Sequence, residues 1–256
     1  MKFALVSGQR QEGQPNLSGE CPVCGSPMIA RCGEVRLWHW AHRGRRLCDP
    51  WWENETEWHR AWKDQFPADW QEIVHLAGDG ERHIADVKTG DGWVIEFQHS
   101  HIKPEERRSR ETFYPKLIWV VDGTRRKGDR AQLISAWKEG VPVGGNSLVR
   151  KAFSDDCGLL REWAGSNAPI FFDLGEMERL WWLFAKSCNV WAYVAPYPRA
   201  EFIECHRSTA TEIARQFDEF VNDIPKLIAD YESHRRAQPL RQDPLQPRTS
   251  RTRFRL

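Results

Sequence analysis

Two runs of β-branched and aromatic residues flank a short polar turn within residues 82–100, and they constrain the fold more than any other segment. The runs RHIADVK and WVIEFQHS enclose glycines and an aspartate typical of a β-hairpin turn. Each run carries one acidic residue, Asp86 in the first and Glu96 in the second. The chain must therefore place two carboxylates in a hairpin whose other residues favour a buried sheet.

The length of the turn decides whether these two carboxylates meet. Side chains alternate across a strand, so Glu96 and Gln98 share one face. If the turn holds three residues, Gly90–Gly92, then Asp86 lies directly opposite Glu96, with Cβ atoms about 4.5–5.5 Å apart. If it holds two residues, Asp86 opposes Ile95 and the carboxylates point to opposite faces.

Two carboxylates on one face repel each other, and burial strengthens the repulsion. A divalent cation reverses this interaction, and Mg²⁺ typically binds one or two carboxylates while it keeps waters for a substrate phosphate. We therefore predict that Asp86 and Glu96 bind Mg²⁺ or Mn²⁺ and that Gln98 orients a water. The pattern D-x9-E-x-Q on adjacent strands suits a metal-dependent phosphodiesterase. The alternative is a turn aspartate followed by a solvated strand glutamate.

The segment before the hairpin, ENETEWHRAWKDQF, predicts a helix with Asn54 as its N-cap. On this helix Glu55, His59 and Lys63 recur at every fourth position and share one face. They would either extend the site or form a solvated face of weak ion pairs.

The segment after the hairpin, KPEERRSRETFY, predicts a helix that begins at Pro104, and KLIWVVD predicts a fully buried strand. Arg110 and Tyr114 are four residues apart on this helix, and an arginine there suits a scissile phosphate or a structural ion pair. The candidate nucleic-acid contacts are Lys63, Arg107, Arg110 and Tyr114. Further basic residues expected around the site are Arg43, Arg45, Arg46, Arg107, Arg108, Arg125 and Arg126.

The segment CPVCGSPMIARCGEVRLWHWAH has the spacing of a zinc site. Cys21 and Cys24 form a CPxCG turn, in which glycine permits the positive φ that turns backbone amides toward the sulfurs. His39 and His42 would complete a tetrahedral set if the intervening residues form a hairpin that turns at residues 32–33.

Two further cysteines, Cys32 and Cys48, compete with the histidines for the last zinc positions. The seven cysteines are an odd number, which favours metal binding in a reducing cytoplasm over a disulfide framework. No run of eighteen apolar residues occurs, and MKFALVSGQR lacks the apolar segment of a secretory signal. We therefore expect a cytoplasmic protein with no membrane contact. Most of the fourteen tryptophans are expected to fill the core, with base stacking as the alternative for a few.

The 256 residues divide into four predicted segments. Residues 1–50 form a zinc-ribbon-like module, and residues 51–140 alternate helix, strand, strand, helix and strand. Residues 141–233 form an α+β extension, and residues 234–256 form a disordered, arginine-rich tail. In the extension, APIFFDL and VWAYVAP are expected as strands, GEMERLWWLFAKS has helical spacing, and an amphipathic helix follows over residues 208–236.

Together these motifs resemble the CoiA family of competence proteins, nucleases of the PD-(D/E)XK type. The resemblance covers residues 21–122 and rests on the CPxC turn, HWAH, ETEWHRAWK, ADV, IEFQHS, the R-x3-Y helix and IWVVD. It implies an α/β fold with a restriction-endonuclease-like core, a mixed sheet flanked by helices. It also implies Asp86 and Glu96 as metal ligands, Gln98 in the usual lysine position, and Glu55 contributed by the preceding helix.

The expected protein is a metal-dependent DNA endonuclease that acts on branched or single-stranded DNA in recombination, transformation, repair or defence. Asp86 and Glu96, with the Phe97 carbonyl, would hold the ion, while Glu55 or His59 would bind a second ion through water or relay a proton. DNA is the expected partner, with a recombinase as a second one. Two alternatives stay open: a non-catalytic DNA-binding recombination mediator on a nuclease-like fold, and an RNA-processing nuclease.

Overall fold

The computed structural model describes residues 1–44, 49, 51, 55–76, 80–184, 190–208 and 212–237. Arg45, Arg46, Cys48, Asn54 and the tail beyond residue 237 therefore lie outside the described residues. The described part is a mixed α/β structure with two sheets. None of its helices is long and apolar enough to cross a membrane.

The N-terminal sheet is antiparallel, with strand order β2-β1-β3-β4-β5. Its strands are β1 (Phe3–Val6), β2 (Gln9–Glu12), β3 (Ser18–Glu20), β4 (Pro27–Arg31) and β5 (His39–His42). Its small core centres on Met28 and Trp40, and Val74 and Ile84 of the second sheet pack against that core. The N-terminal sheet is thus joined to the rest of the protein through an apolar contact.

The second sheet has nine strands in the order β10-β11-β14-β13-β12-β9-β8-β7-β6. Its strands are β6 (Gln71–Leu76), β7 (Arg82–Lys88), β8 (Val94–Gln98), β9 (Leu117–Asp122), β10 (Val141–Val143), β11 (Asn146–Phe153), β12 (Ile170–Asp173), β13 (Arg179–Leu183) and β14 (Trp191–Pro198). Strands β8, β9 and β12 are parallel, and the remaining pairs are antiparallel. The sheet is therefore mixed, as expected.

Helices cover both faces of this sheet. They are α1 (Glu57–Lys63), α2 (Pro104–Phe113), α3 (Asp129–Glu139), α4 (Gly158–Trp163), α5 (Arg199–Arg207) and α6 (Glu212–Ala237). Side chains at the end of α2 and from α3 and α4 pack on the face that includes Trp119, and those of α1, α5 and α6 pack on the face that includes Ile118. Because adjacent residues of β9 point to opposite faces, every residue of this strand is buried.

Several predicted elements are confirmed, and one is wrong. The helix that begins at Pro104, the buried strand β9 and the long C-terminal helix are present. The GEMERLWWLFAKS segment, expected as a helix, instead contains strand β13 over Arg179–Leu183. Leu180 to Leu183 are all buried in the middle of the sheet, and an apolar run of this length fits a buried strand as well as a helix. The strands after residue 140 continue the same sheet.

Candidate functional site

The turn between β7 and β8 has the three-residue length that brings the two acidic residues together. Val87 pairs with Ile95, which places Asp86 opposite Glu96. Gly92 closes the turn with a φ of 84°, a conformation that glycine adopts without steric cost. Of the two registers that the sequence left open, the structure therefore has the one that places Asp86 opposite Glu96.

Each of the two carboxylates accepts a hydrogen bond from a backbone amide of the opposite strand. Asp86 Oδ2 accepts a hydrogen bond from the Phe97 N–H at 3.0 Å, and Glu96 Oε1 accepts one from the Asp86 N–H at 3.3 Å. The backbone amides at the end of the β7–β8 pairing therefore donate their hydrogen bonds to carboxylates. These bonds hold the two acidic groups close to each other. Both side chains line the same cavity.

Burial and mutual repulsion disturb the protonation of this pair. The pKa of Glu96 is raised to about 8, first by burial and then by the Asp86 charge, while the Arg110 charge opposes both effects. Burial also raises the pKa of Asp86, against the opposing charges of Lys63 and His59. Without a cation, the site therefore favours a protonated Glu96 near neutral pH.

Glu96→Gln is expected to stabilise the metal-free protein, by an amount that grows with pH. The pKa of Glu96 is about 8 in the folded state against 4.5 for an unperturbed glutamate. Below about pH 4.5 the group is protonated in both states, so the variant gains nothing. Between pH 4.5 and pH 8, Glu96 of the wild type ionises more readily in the unfolded state, which lowers the free energy of unfolding as the pH rises. Above pH 8 this loss of stability reaches its full size, a few kcal/mol at about 1.36 kcal/mol per pKa unit.

Urea unfolding in EDTA at pH 5, 7 and 9 measures this gain. Glu105→Gln is the matched control, because Glu105 is exposed and paired only with the exposed Arg108 in an i,i+3 contact, and its effect should stay flat with pH. A Glu96→Gln effect that is equally flat between pH 5 and 9 would contradict the raised pKa.

A cavity of about 60 Å³ surrounds the pair. All five predicted catalytic residues line it, namely Glu55, His59, Asp86, Glu96 and Gln98. It is also lined by Lys63 and Arg110, which were expected to contact nucleic acid. The structure thus brings together side chains from α1, β7, β8 and α2. Glu55, expected on the helix, instead precedes the N-cap of α1 and reaches the cavity from the segment before it.

Helix α1 presents His59 to the cavity through its N-terminal cap. The N-cap is Thr56, so the expectation of a cap at Asn54 is wrong. The Thr56 hydroxyl accepts the His59 N–H at 3.3 Å, and His59 Nδ1 accepts the Thr56 N–H at 3.3 Å. Because Nδ1 acts as an acceptor, the proton of a neutral His59 lies on Nε2.

Lys63 is held inside the site by carboxylates. Its Nζ lies 2.5 Å from Glu55 Oε1 and 3.0 Å from Glu72 Oε1, and its side chain is only 3% exposed. Arg60 also binds Glu55, at 2.6 Å. The Lys63 ammonium was expected to bind nucleic acid, but its partners are the buried carboxylates of the site itself.

Arg110 neutralises part of the acidic pair. Its Nη1 donates to Glu96 Oε2 at 2.9 Å, and its Nη2 donates to Glu106 at 2.5 Å and to the Trp51 carbonyl at 2.7 Å. Arg110 is buried, so it acts on Glu96 from below the cavity surface. It is a positioning group for the acidic pair.

Arg107 and Tyr114 lie away from the cavity, contrary to their expected role as nucleic-acid contacts. Arg107 is buried, donates to the Glu162 carbonyl at 2.6 Å and packs over the Trp163 ring. Tyr114 is 2% exposed and packs against Phe113. The helix α2 is present as predicted, but the side of it that carries Arg107 and Tyr114 faces the core.

Two acidic residues of the cavity were missed in the sequence. Asp49 accepts the Ile84 N–H at 3.1 Å and contacts His83. Glu72 accepts the backbone N–H groups of Lys2 and Phe3 at 2.7 and 3.0 Å, besides its contact with Lys63. No local pattern marks either residue, because each reaches the site through contacts distant in sequence.

A second group of polar side chains, in the N-terminal domain, has metal-ligand geometry. The ligand atoms of Cys21, Cys24 and His42 all lie within 4.8 Å of one another, and Cys24 Sγ is 3.4 Å from His42 Nε2. Gly25 follows the second cysteine with a φ of 68°, as the CPxCG turn requires. Burial opposes ionisation of Cys24, but hydrogen bonds from Ser26, His42 and Cys21 lower its pKa to about 6.

Residues 17–50 match the family model of the N-terminal domain of competence protein CoiA. The N-terminal part of the chain is therefore similar to that domain. The match confirms the predicted resemblance to the CoiA family over residues 17–50 and does not extend to the core segment after residue 50. A search of curated proteins and a search of solved structures each returned no match.

Within this segment, His39 lies outside the group formed by the ligand atoms of Cys21, Cys24 and His42. His39 and His42 are three residues apart on β5, and residues three apart on a strand point to opposite faces. His39 Nδ1 contacts the Leu37 carbonyl at 2.8 Å instead. Among the described residues, Cys32 is also outside the ligand group, and the remaining rival, Cys48, lies beyond them.

Proposed function

We propose that the protein is a metal-dependent DNA endonuclease with a PD-(D/E)XK-type core. The observation that carries this proposal is the buried Asp86–Glu96 pair, held together on a β-hairpin in a cavity beside Gln98. A core that evolved only to be stable gains nothing from two adjacent carboxylates whose pKa values are both raised. A divalent cation would relieve that repulsion.

The donor set fits Mg²⁺ or Mn²⁺. Both ions prefer carboxylate and carbonyl oxygens, which Asp86, Glu96 and the Phe97 carbonyl would supply. The cavity of about 60 Å³ has room for an ion and a few waters, since one water needs about 10–15 Å³ of such volume. The ion would stabilise negative charge on the scissile phosphate.

The surrounding side chains have distinct roles in phosphodiester hydrolysis. Gln98 Nε2 donates to the Ser100 carbonyl at 3.1 Å, which fixes the carboxamide so that its oxygen can orient the attacking water. This water would form the new bond to phosphorus and release a proton to solvent, which a bound cation would favour by lowering the pKa of the water. The leaving oxygen would gain a proton as its bond to phosphorus breaks. His59 is suited to that transfer, because its Nε2 carries the proton of the neutral ring and it lines the cavity.

Glu55 is less suited to move a proton. Burial raises the pKa of Glu55, but the charge of Lys63 and the hydrogen bond from Arg60 lower it below its usual value. A carboxylate held by two cations stays ionised at neutral pH. We assign Glu55 to the placement of Lys63 and of the cavity wall.

The N-terminal domain has a structural part in this proposal. Cys21, Cys24 and His42 would bind Zn²⁺ with one further ligand, and the metal would fix β3, β4 and β5 relative to one another. The family model that matches residues 17–50 is that of a competence protein, in line with the expectation of DNA as the substrate.

The function is tested by incubating the metal-loaded protein with plasmid, branched and single-stranded DNA in Mg²⁺, Mn²⁺ or EDTA. Cleavage of at least one DNA is expected in either metal and none in EDTA. Binding to DNA without cleavage in any metal would contradict catalysis and favour a recombination mediator. Cleavage of RNA alone would overturn the DNA assignment.

A further inference from the structure

The residues predicted to contact phosphate are not accessible to a substrate, because Lys63, Arg107 and Arg110 are all buried and engaged with other protein groups. A substrate strand needs cations and stacking surfaces that it can reach. The loop at residues 32–38, between β4 and β5, provides both beside the candidate active-site cavity.

Two depressions beside this loop adjoin the cavity through shared lining residues, and we call them together the groove. Glu55 lines the cavity and also a depression of about 330 Å³, which runs past Arg36 and His39. A further depression of about 440 Å³ shares Arg36 and His39 and continues to Arg31. Each depression has the size of a pocket for a small organic ligand, so a nucleotide fits in it.

Trp38 gives the loop a fixed aromatic surface. It is 48% exposed and is the only exposed tryptophan in the described chain. Its indole N–H donates to the Gly33 carbonyl at 3.2 Å, and its own carbonyl accepts from Arg60 Nη2 at 3.2 Å. The ring is therefore held in place while nearly half of its surface is open to a ligand.

The charges of the loop suit a phosphate backbone of limited length. Arg31 and Arg36 are exposed and have no ion-pair partner among the described residues. Glu34 and Glu57 are also exposed nearby, so the cationic surface amounts to these two arginines. Two phosphate contacts and one stacked base match this arrangement better than a long duplex does.

We propose that this groove binds an unpaired strand of the DNA substrate beside the cavity, with Arg31 and Arg36 on phosphates and a base stacked on Trp38. Trp38 does not line either depression, but it lies at their margin through its contact with Gly33, which lines the second one. In a duplex the faces of the bases are covered by their neighbours, so stacking on a side chain requires an unpaired base. His39, which points away from the metal group, lines the groove between the two arginines. This inference rests on the proposed function and specifies the form of DNA.

The test uses the full chain carrying Asp86→Asn, so that binding is measured without cleavage. Fluorescence anisotropy gives the affinity for a labelled single-stranded oligonucleotide and for a blunt duplex of the same length. Trp38→Ala should weaken single-strand binding about tenfold, because one base stack is lost. Trp38→Tyr should restore most of the affinity, and duplex binding should change less than about twofold in either variant.

Replacing Arg31 and Arg36 together by Gln should lower the slope of log affinity against log salt by about 1.4 for single strands, at about 0.7 per phosphate contact. Arg161→Gln is the matched control, because Arg161 is exposed on α4, outside the groove. Circular dichroism and zinc content verify that each variant is folded.

The proposal is overturned if Trp38→Ala leaves single-strand affinity unchanged, or weakens duplex and single-strand binding equally. It is also overturned if the parent protein binds no DNA. Loss of single-strand binding in the loop variants, alongside a wild type that never cuts, would support the groove and reject the nuclease. The two failures are therefore distinguishable.

Discussion

Asp86→Asn is expected to reduce Mg²⁺-dependent cleavage by about a thousandfold or more while DNA binding stays within about threefold of the wild type. The asparagine keeps the size of the side chain and can still accept the Phe97 N–H, so the hairpin geometry should survive. It removes one of the two negative charges that would bind the ion. Loss of several kcal/mol of metal-dependent transition-state stabilisation corresponds to a rate factor of this size.

The matched control is Asp91→Asn, in the turn of the same hairpin. It makes the same chemical change outside the cavity and should keep near-wild-type activity. Calorimetric titration with Mg²⁺ gives a readout independent of cleavage and should show weakened binding for Asp86→Asn alone. An Asp86→Asn protein that retains a tenth of wild-type activity on every DNA would remove this residue from the mechanism.

His42→Asn is expected to abolish zinc binding, whereas His39→Asn should retain about one zinc per chain. The two residues are on the same short strand, but only His42 belongs to the Cys21–Cys24 group. Structural zinc sites contribute about 10–16 kcal/mol in small zinc domains, so loss of the ion should unfold the N-terminal sheet. Cys21→Ser combined with Cys24→Ser should have the same effect.

Metal analysis of the purified variants and hydrogen exchange of β3, β4 and β5 measure this outcome. Cys32→Ser should keep its zinc, because Cys32 lies outside the ligand group. Cys48→Ser tests the remaining candidate for the fourth position. Equal zinc loss in the His39 and His42 variants, or a wild type without zinc, would contradict the assignment.

The parts of the site that could be predicted are those encoded in a few adjacent residues. The turn with its two glycines determines the register of Asp86 and Glu96, and this register depends on no distant contact. The CPxCG turn is local in the same sense. Helix spacing correctly placed His59 and Lys63 toward the cavity, because one face of a short helix has one environment.

The remaining features depend on contacts between distant segments. The sequence cannot reveal that Glu72 receives amides from β1, or that Asp49 contacts β7. An HxxH pattern fits a helix, but β5 is a strand and separates the two histidines. The prediction of a helix where β13 lies was wrong because a run of buried apolar residues has no periodicity that distinguishes a helix from a strand.

Glu72 has a consequence for how the two metals would influence each other. Its carboxylate binds β1 of the N-terminal sheet and the buried lysine of α1, and these contacts lower its pKa to about 2 despite the opposing effect of burial. Glu72 thus links the N-terminal sheet, where zinc is proposed to bind, to the wall of the acidic cavity. If zinc binding raises the affinity for magnesium by some factor, thermodynamic linkage requires that magnesium binding raises the affinity for zinc by the same factor.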